Sequence, residues 1–184
     1  MHKAYVGEQM EYPGLIKAWL AFVRPKTWQI AIMPVLATVA LAYSERHVFH
    51  PLIFLCTISI AILLQALSNM QNDLGYTQRK AETGNRKGFP RATAMGWISI
   101  RTAKIAIAVM AVLTLLNTAV LVWFGGWIFA AVGVLSLLAA YCYMGGPKPI
   151  AYTPFGELVV LLTFGITSVW GTYYLQTGGL SINA

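Results

Sequence analysis

The chain has 184 residues, a formal net charge of +7 and a composition that is 58% hydrophobic and only 10% charged. These values exclude an ordinary water-soluble domain, in which about a quarter of the residues carry a charge. The length suits one domain, so the sequence predicts a single all-α domain, residues 1–184, embedded in a membrane.

The first predicted element is a short helix that lies on the membrane surface. Between residues 15 and 22, apolar side chains stand beside Lys17, with Arg24 and Lys26 following. This mixture is typical of interfacial helices. The first 28 residues do not combine a cationic segment, an apolar run and a small-residue cleavage site, so they do not resemble a signal peptide.

Five apolar stretches follow, each near the length of about 20 residues that a helix needs to cross a bilayer core. Each is predicted to be helical, because lipid offers the backbone no other hydrogen-bond partners. The predicted spans of this polytopic bundle are roughly residues 27–43, 51–68, 103–124, 126–145 and 154–176.

The lysines and arginines predict the orientation of the bundle. Twelve of the 13 fall on one side of the predicted spans, and Arg46 alone falls on the other. Because cytoplasmic loops carry the excess of Lys and Arg, the N-terminus and residues 70–104 are predicted to face the cytoplasm. The chain is therefore predicted to be a multi-pass protein of the cell inner membrane.

A polar stripe is predicted at the end of the second span. If that helix continues past residue 68, Gln65, Asn69, Asp73 and Tyr76 share one face, with Asn72 beside them. Polar groups at membrane depth are costly unless they face a protein interior or an aqueous cavity, so the stripe should point inward. The alternative is a helix end that emerges among lipid headgroups, where these side chains are simply solvated.

A basic segment follows the stripe and indicates an anionic ligand. Residues 70–104 contain seven positive side chains against two acidic ones. Carboxylate and amide oxygens, here those of Asn72 and Asp73, can hold Mg²⁺, which keeps positions for substrate phosphates. Basic side chains neutralise the remaining charge. The predicted ligand is a diphosphate with a lipid tail, bound by Asn69, Arg79, Lys80, Arg86 and Arg91.

The stretch "SNMQNDLGYTQRKAETGNRKGFPRA" resembles the first aspartate-rich motif of the UbiA superfamily of intramembrane prenyltransferases, most closely the branch that acts on 1,4-dihydroxy-2-naphthoate in menaquinone synthesis. "RPKT" at residues 24–27 is similar to an early motif of that branch. "YCYMGGPKPIAYTPFGEL" is similar to its turn after the fourth helix. The resemblance covers residues 20–176, and such an ordered set of motifs is fairly specific.

The resemblance implies an enzyme that transfers a polyprenyl group from a polyprenyl diphosphate to an aromatic acceptor with the help of Mg²⁺. It implies metal ligands at Asn72, Asp73 and Glu82, and catalytic roles for Asn72, Asp73 and Lys148. For Lys148, a second interpretation is equally favoured, namely that it is one of the positive residues that mark the cytoplasmic side. Glu157 is better explained by the dipole of the fifth predicted span than by contact with substrate.

The sequence departs from the family pattern in two places. Tyr76 stands where the family has the second aspartate of its motif, and a phenol is a poor Mg²⁺ ligand. The family fold has about nine helices and a second aspartate-rich motif, which leads us to expect a truncated product or a second chain. A noncatalytic protein that binds isoprenoid lipid, or assembles with an enzyme, is the alternative function. A transporter ranks third, and no nucleic-acid partner is predicted.

Overall fold

The computed structural model describes residues 12–80 and 90–179. In these two ranges the chain is built of helices and contains no strand, which confirms the predicted all-α class. Two single turns of 3₁₀ helix, Pro25–Thr27 and Ile150–Tyr152, join some of the elements. The main helices are α1 (Leu15–Val23), α2 (Gln29–Arg46), α3 (Pro51–Gln78), α4 (Ile100–Gly125), α5 (Ile128–Met144) and α6 (Phe155–Thr177).

Every predicted span falls on one of these helices, although they differ in their capacity to cross a membrane. Within the described residues, α3, α4 and α6 are long and apolar enough to do so. The pair Leu15–Thr27 and Gln29–Arg46, bent by 41°, would form a fourth span if taken together. Helix α5 is apolar but has only 17 residues, fewer than the usual 20. The five-span arrangement therefore stays a prediction.

The break between α1 and α2 is fixed locally. Arg24 has a φ of 52°, a left-handed conformation that ends α1, and Pro25 begins the next turn. The Thr27 hydroxyl donates to the Arg24 carbonyl at 3.0 Å, and the Trp28 indole donates to the Val23 carbonyl at 3.1 Å. These bonds satisfy carbonyls that the end of α1 leaves without helical partners.

Helix α3 is the central element and extends ten residues beyond the predicted end of the second span, residue 68. It packs against α1, α2, α4 and α5. Its last turns also approach the end of α5 closely, because a Cβ at Gly75 would lie only 2.6 Å from the Met144 carbonyl oxygen. The absence of a side chain at Gly75 therefore lets these two helices meet.

Helix α6 packs against α2 and contains an irregular middle. Residues Leu161–Thr167 form a π-helical segment, a widened turn that is rare and often found at functional sites. Gly178, with a φ of 68°, ends the helix in the left-handed conformation that glycine adopts without strain.

The far end of α6 is tied to the connection between α2 and α3. The Gln176 side chain accepts from the His50 backbone N–H at 2.8 Å and donates to the His50 carbonyl at 3.3 Å. The Tyr173 hydroxyl donates to the Glu45 carboxylate at 2.6 Å. Gln176 and Tyr173 are both buried, so these bonds connect parts of the fold that lie over 120 residues apart in sequence.

We expect Gln176→Leu to lower the free energy of unfolding by about 1–3 kcal/mol, because the substitution leaves the His50 backbone groups without the amide. Gln29→Leu is the matched control, since Gln29 is exposed on α2. The measurement is detergent-induced unfolding of both variants followed by circular dichroism. Equal stability of the two variants would show that the Gln176 bonds do not hold α6.

Candidate functional site

A cavity of about 310 Å³ opens between α2, α3, α4, α5 and α6. Apolar side chains form most of its wall, and the π-helical segment of α6 contributes to it through Thr163 and Phe164. At one end the wall is polar and comes from α3, through Gln65, Ser68, Asn69 and Asn72. An apolar cavity with convergent polar groups at one end is the usual form of a small-molecule site.

The first half of the predicted polar stripe is joined to the turn between α1 and α2. The Asn69 side-chain amide donates to the Val23 carbonyl at 3.0 Å and to the Thr27 hydroxyl at 2.8 Å. Gln65 lies within 3.4 Å of both the Thr27 hydroxyl and the Asn69 side-chain oxygen. The stripe therefore points inward along this part of α3, as the sequence predicts.

Asp73 is fully buried and faces the segment that precedes α4. Its two carboxylate oxygens accept hydrogen bonds from the backbone N–H groups of Ala92 at 2.9 Å and Thr93 at 3.0 Å. The Thr93 hydroxyl donates to the same carboxylate, and Arg24 lies 3.8 Å away. Asp73 thus anchors residues 92 and 93 to α3 and does not line the cavity.

Arg91 lies over the ring of Tyr76, with its guanidinium carbon 3.4 Å from the ring centroid. It is only 5% exposed, and it donates to the backbone carbonyl of Asn72 at 3.2 Å. A guanidinium stacked on an aromatic face gains cation–π attraction and loses freedom of movement. The geometry therefore fixes a positive charge beside α3, directly before the two residues that Asp73 holds.

A second group of residues joins α3 to the turn after α5. Arg79 donates to the carbonyls of Met144, at 2.6 Å, and of Gly146. The rings of Tyr76 and Tyr152 meet edge to face, 5.9 Å apart. Partial burial, and then the neighbouring Tyr76, raise the pKa of Tyr152, whereas Arg79 and Arg91 oppose that rise. The Tyr152 hydroxyl therefore remains protonated near neutral pH.

The remaining predicted site residues are less closely grouped. Asn72 lines the cavity, and its side-chain oxygen is buried yet accepts no hydrogen bond from any described residue. Lys80 is exposed just after the end of α3, and Lys148 is exposed in the turn after α5. Arg86 and Glu82 lie outside the described residues, so their predicted roles stay predictions.

The predicted metal site is not assembled by the described residues. Residues 12–80 and 90–179 contain no group of three or more His, Cys, Asp or Glu side chains placed to hold a metal ion. Both oxygens of Asp73 are occupied by backbone donors, and Tyr76 is covered by a guanidinium. A hard divalent cation needs oxygen ligands open to it, so among the described residues Asp73 and Tyr76 do not fit one.

Three residues that the sequence analysis did not place in the site contribute to it. Arg24 and Thr27 reach the polar stripe from the turn before α2, and Thr93 completes the environment of Asp73. The motif "RPKT" was the available signal for the first two. Thr93 had none, because its contact with Asp73 joins residues that lie 20 positions apart in sequence.

Comparison with known proteins places these features in a family. Residues 31–184 match the UbiA prenyltransferase family. The chain is 34% identical over 169 residues to a 1,4-dihydroxy-2-naphthoate octaprenyltransferase of Haemophilus influenzae, and 36% identical over 168 residues to one of Escherichia coli. It is 27% identical over 181 residues to a 2-carboxy-1,4-naphthoquinone phytyltransferase of Synechocystis.

These alignments cover most of this chain but only part of each relative. The matched regions are 88%, 87% and 93% of this chain, and 55%, 54% and 55% of the Haemophilus, Escherichia and Synechocystis proteins respectively. The chain thus spans about half the length of the curated relatives it matches. Members of the matched family generally use a divalent metal ion.

Proposed function

Since the chain belongs to the UbiA prenyltransferase family, we propose that it takes part in transferring a polyprenyl group from a polyprenyl diphosphate to an aromatic acceptor. The acceptor that the relatives' names favour is 1,4-dihydroxy-2-naphthoate, an intermediate of menaquinone synthesis by the resemblance given above. The observation that carries the proposal is the cavity, which has a mainly apolar wall and to which α3 contributes the amides of Gln65, Asn69 and Asn72.

The arrangement suits a substrate with an apolar tail and an anionic head. The tail would lie among the apolar walls between the helices, and the diphosphate would lie at the end formed by Asn69 and Asn72. Neither Arg91 nor Arg79 lines the cavity, but Arg91 donates to the backbone carbonyl of the lining residue Asn72, and Arg79 donates to that of Met144, which follows the lining residue Tyr143. Positive charge is therefore concentrated where a diphosphate would need it.

The reaction follows from the chemistry of an allylic diphosphate. The bond between the prenyl carbon and the diphosphate oxygen breaks, its electron pair leaves with the diphosphate, and an allylic cation forms. An electron-rich ring carbon of the acceptor attacks that cation, and the ring then loses a proton. The contribution of this chain would be to neutralise the departing diphosphate through its basic residues and to keep water out of the apolar cavity.

Magnesium remains a prediction from the sequence and its resemblance, with ligands at Asn72, Asp73 and Glu82. Asn72 offers a buried oxygen that no described residue binds, Asp73 offers none that is open, and Glu82 lies outside the described residues. The roles proposed above for the basic residues and the cavity do not depend on a metal ion.

The test is transfer of a radiolabelled prenyl group to 1,4-dihydroxy-2-naphthoate in membranes that contain the chain together with the C-terminal half of the Escherichia coli relative, because the chain by itself is expected to be nearly inactive. We expect product that disappears when Arg91 is replaced by alanine and persists when the exposed Arg101 is replaced. The absence of product, although the chain binds the diphosphate substrate, would favour the alternative function below.

The alternative is a noncatalytic protein that binds an isoprenoid lipid or assembles with an enzyme. One observation favours it, namely that Asp73 and Tyr76 are engaged within the protein and leave no described acidic side chain facing the cavity. Binding of a polyprenyl diphosphate would be common to both functions. Only the enzyme would convert the acceptor, so transfer and binding must be measured on the same preparation.

A second chain or a further segment stays a predicted partner, because the curated relatives are about twice as long as the region matched here. The prediction is tested by expressing the chain with and without the C-terminal half of the Escherichia coli relative. Transfer that rises on co-expression would support such a partner. Equal transfer in both membranes would contradict it.

We propose that the N-terminus and residues 70–104 face the cytoplasm of a bacterial inner membrane, because 12 of the 13 Lys and Arg residues fall on that side of the predicted spans. Single cysteines at Val48 and Ala94, in a background without Cys56 and Cys142, should react with an impermeant reagent from opposite faces. Ala94 is exposed, so weak labelling there would not result from burial. Labelling of both positions from one face would contradict the orientation.

A further inference from the structure

The metal-binding motif that the resemblance implies is used differently in this chain. Asp73 would be its principal ligand, yet this residue has no exposed surface and its two oxygens accept from the backbone of Ala92 and Thr93. Binding a metal ion would require Asp73 to release both N–H groups into a buried environment, which is costly. Asp73 therefore acts as an anchor for residues 92 and 93.

The neighbouring position is also unsuited to a metal ion. Tyr76 stands where the family has an aspartate, and the Arg91 guanidinium lies 3.4 Å from the centroid of its ring. A divalent cation placed there would be repelled by a guanidinium that is charged at every physiological pH. The site thus already contains a cation, supplied by the chain itself.

Arg91 does not line the cavity, but it contacts a residue that does. It donates to the backbone carbonyl of Asn72, and the side chain of the same Asn72 lines the cavity. The position of Arg91 depends on its neighbours in sequence, because Asp73 fixes Ala92 and Thr93. Asp73 thereby sets where the guanidinium lies, although it need not touch the substrate.

We propose that Arg91, held over Tyr76 by the segment that Asp73 anchors, supplies the positive charge that a metal ion would otherwise supply to the diphosphate at this motif. Asp73 is then a positioning residue and not a metal ligand. The proposal rests on the proposed function in assuming a polyprenyl diphosphate as ligand. It differs from what the resemblance implies, because it predicts that binding of the diphosphate does not depend on a divalent cation.

The experiment measures binding of farnesyl diphosphate to the full 184-residue chain in lipid nanodiscs, with Mg²⁺ or with EDTA. We expect the dissociation constants in the two conditions to agree within about threefold. Arg91→Ala should weaken binding by about tenfold or more, since it removes a charged donor, and Arg91→Lys should restore part of the loss. Arg101→Ala, which removes a charge from the exposed start of α4, should have little effect.

Two further variants separate positioning from a merely structural role. If Asp73 acts through Arg91, Asp73→Asn should weaken binding, and adding Arg91→Ala should cause little further loss, which a double-mutant cycle measures. Tyr76→Asp should create a dependence on Mg²⁺, seen as binding at least about tenfold tighter than in EDTA. Manganese, followed by electron paramagnetic resonance, should bind this variant and not the unmodified chain. Thermal unfolding confirms that each variant is folded.

The outcomes distinguish this proposal from the function on which it rests. The proposal would be overturned if EDTA abolished binding and if, in Mg²⁺, Asp73→Asn abolished binding whereas Arg91→Ala did not. Prenyl transfer would remain the proposed function in that case. Absence of binding in both conditions would overturn the proposal and count against the proposed function as well. Binding that survives in EDTA and depends on Arg91 would support both.

Discussion

Replacing Asp73 by alanine should lower the free energy of unfolding by about 3–5 kcal/mol, one of the largest effects expected of a single side chain here. The substitution would leave the backbone N–H groups of Ala92 and Thr93 buried without acceptors, and it would remove a carboxylate that lies 3.8 Å from Arg24. Each unsatisfied buried group adds to the cost. The measurement is unfolding in mixed detergent micelles, followed by circular dichroism.

The matched control is Glu157→Ala, which removes the same type of charge from an exposed position in the first turn of α6. Its contribution through the helix dipole should not exceed about 1 kcal/mol. If both variants lost the same small amount of stability, the hydrogen bonds of Asp73 could not be what holds residues 92 and 93. The assignment of Asp73 as an anchor would then be wrong.

The sequence predicts the central helix, α3, because one physical rule governs which way its polar face points. Helix α3 continues to Gln78 with its polar face inward, as expected when polar groups at membrane depth must avoid lipid. The helical class follows from the same requirement on backbone hydrogen bonds. These features depend on short-range periodicity and on the solvent, and both can be read directly from a sequence.

The partners of the polar side chains could not be predicted in the same way. The sequence analysis places Asn69 at the diphosphate, and it gives no sign that the Asn69 amide also donates to the Val23 carbonyl and the Thr27 hydroxyl, more than 40 residues away. The resemblance assigns Asp73 to a metal ion, and in the structure its carboxylate accepts from the backbone N–H groups of Ala92 and Thr93. An amide or carboxylate can bind a backbone group as readily as a ligand, and composition does not distinguish the two cases. The choice depends on which turns fold back onto the helix.

Local backbone geometry could not be predicted either, where the types of side chain do not determine it. The π-helical segment Leu161–Thr167 has the same apolar composition as the helix around it, so no pattern marks its widened turn. The resemblance motif "RPKT" pointed to the region of Arg24 and Thr27 without indicating a contact. Their proximity to Asp73 and Asn69 arises from the left-handed residue Arg24, which turns the chain toward α3.

Enlarging the side chain at Gly171 should progressively exclude the prenyl tail from the cavity, and this variant series is expected to have the largest effect on binding. Gly171 lies on α6 and lines the cavity. A Cβ there would meet only the ring of Phe129, at 3.6 Å, which is an ordinary van der Waals contact. Alanine should therefore fit, whereas a larger side chain at this position would occupy space within the cavity.

We expect Gly171→Ala to bind octaprenyl diphosphate as the unmodified chain does, Gly171→Leu to bind it about tenfold more weakly, and Gly171→Trp about a hundredfold more weakly. Inorganic pyrophosphate should bind all four proteins alike, because its proposed site lies near Asn72 and not near Gly171. Val134→Trp, on an exposed part of α5, controls for adding a large ring. Unchanged binding of the long-chain diphosphate by Gly171→Trp would show that the tail lies elsewhere. Loss of pyrophosphate binding in the same variant would show that the tryptophan disrupts the fold. Either of these two outcomes would contradict the assignment of the cavity to the prenyl group.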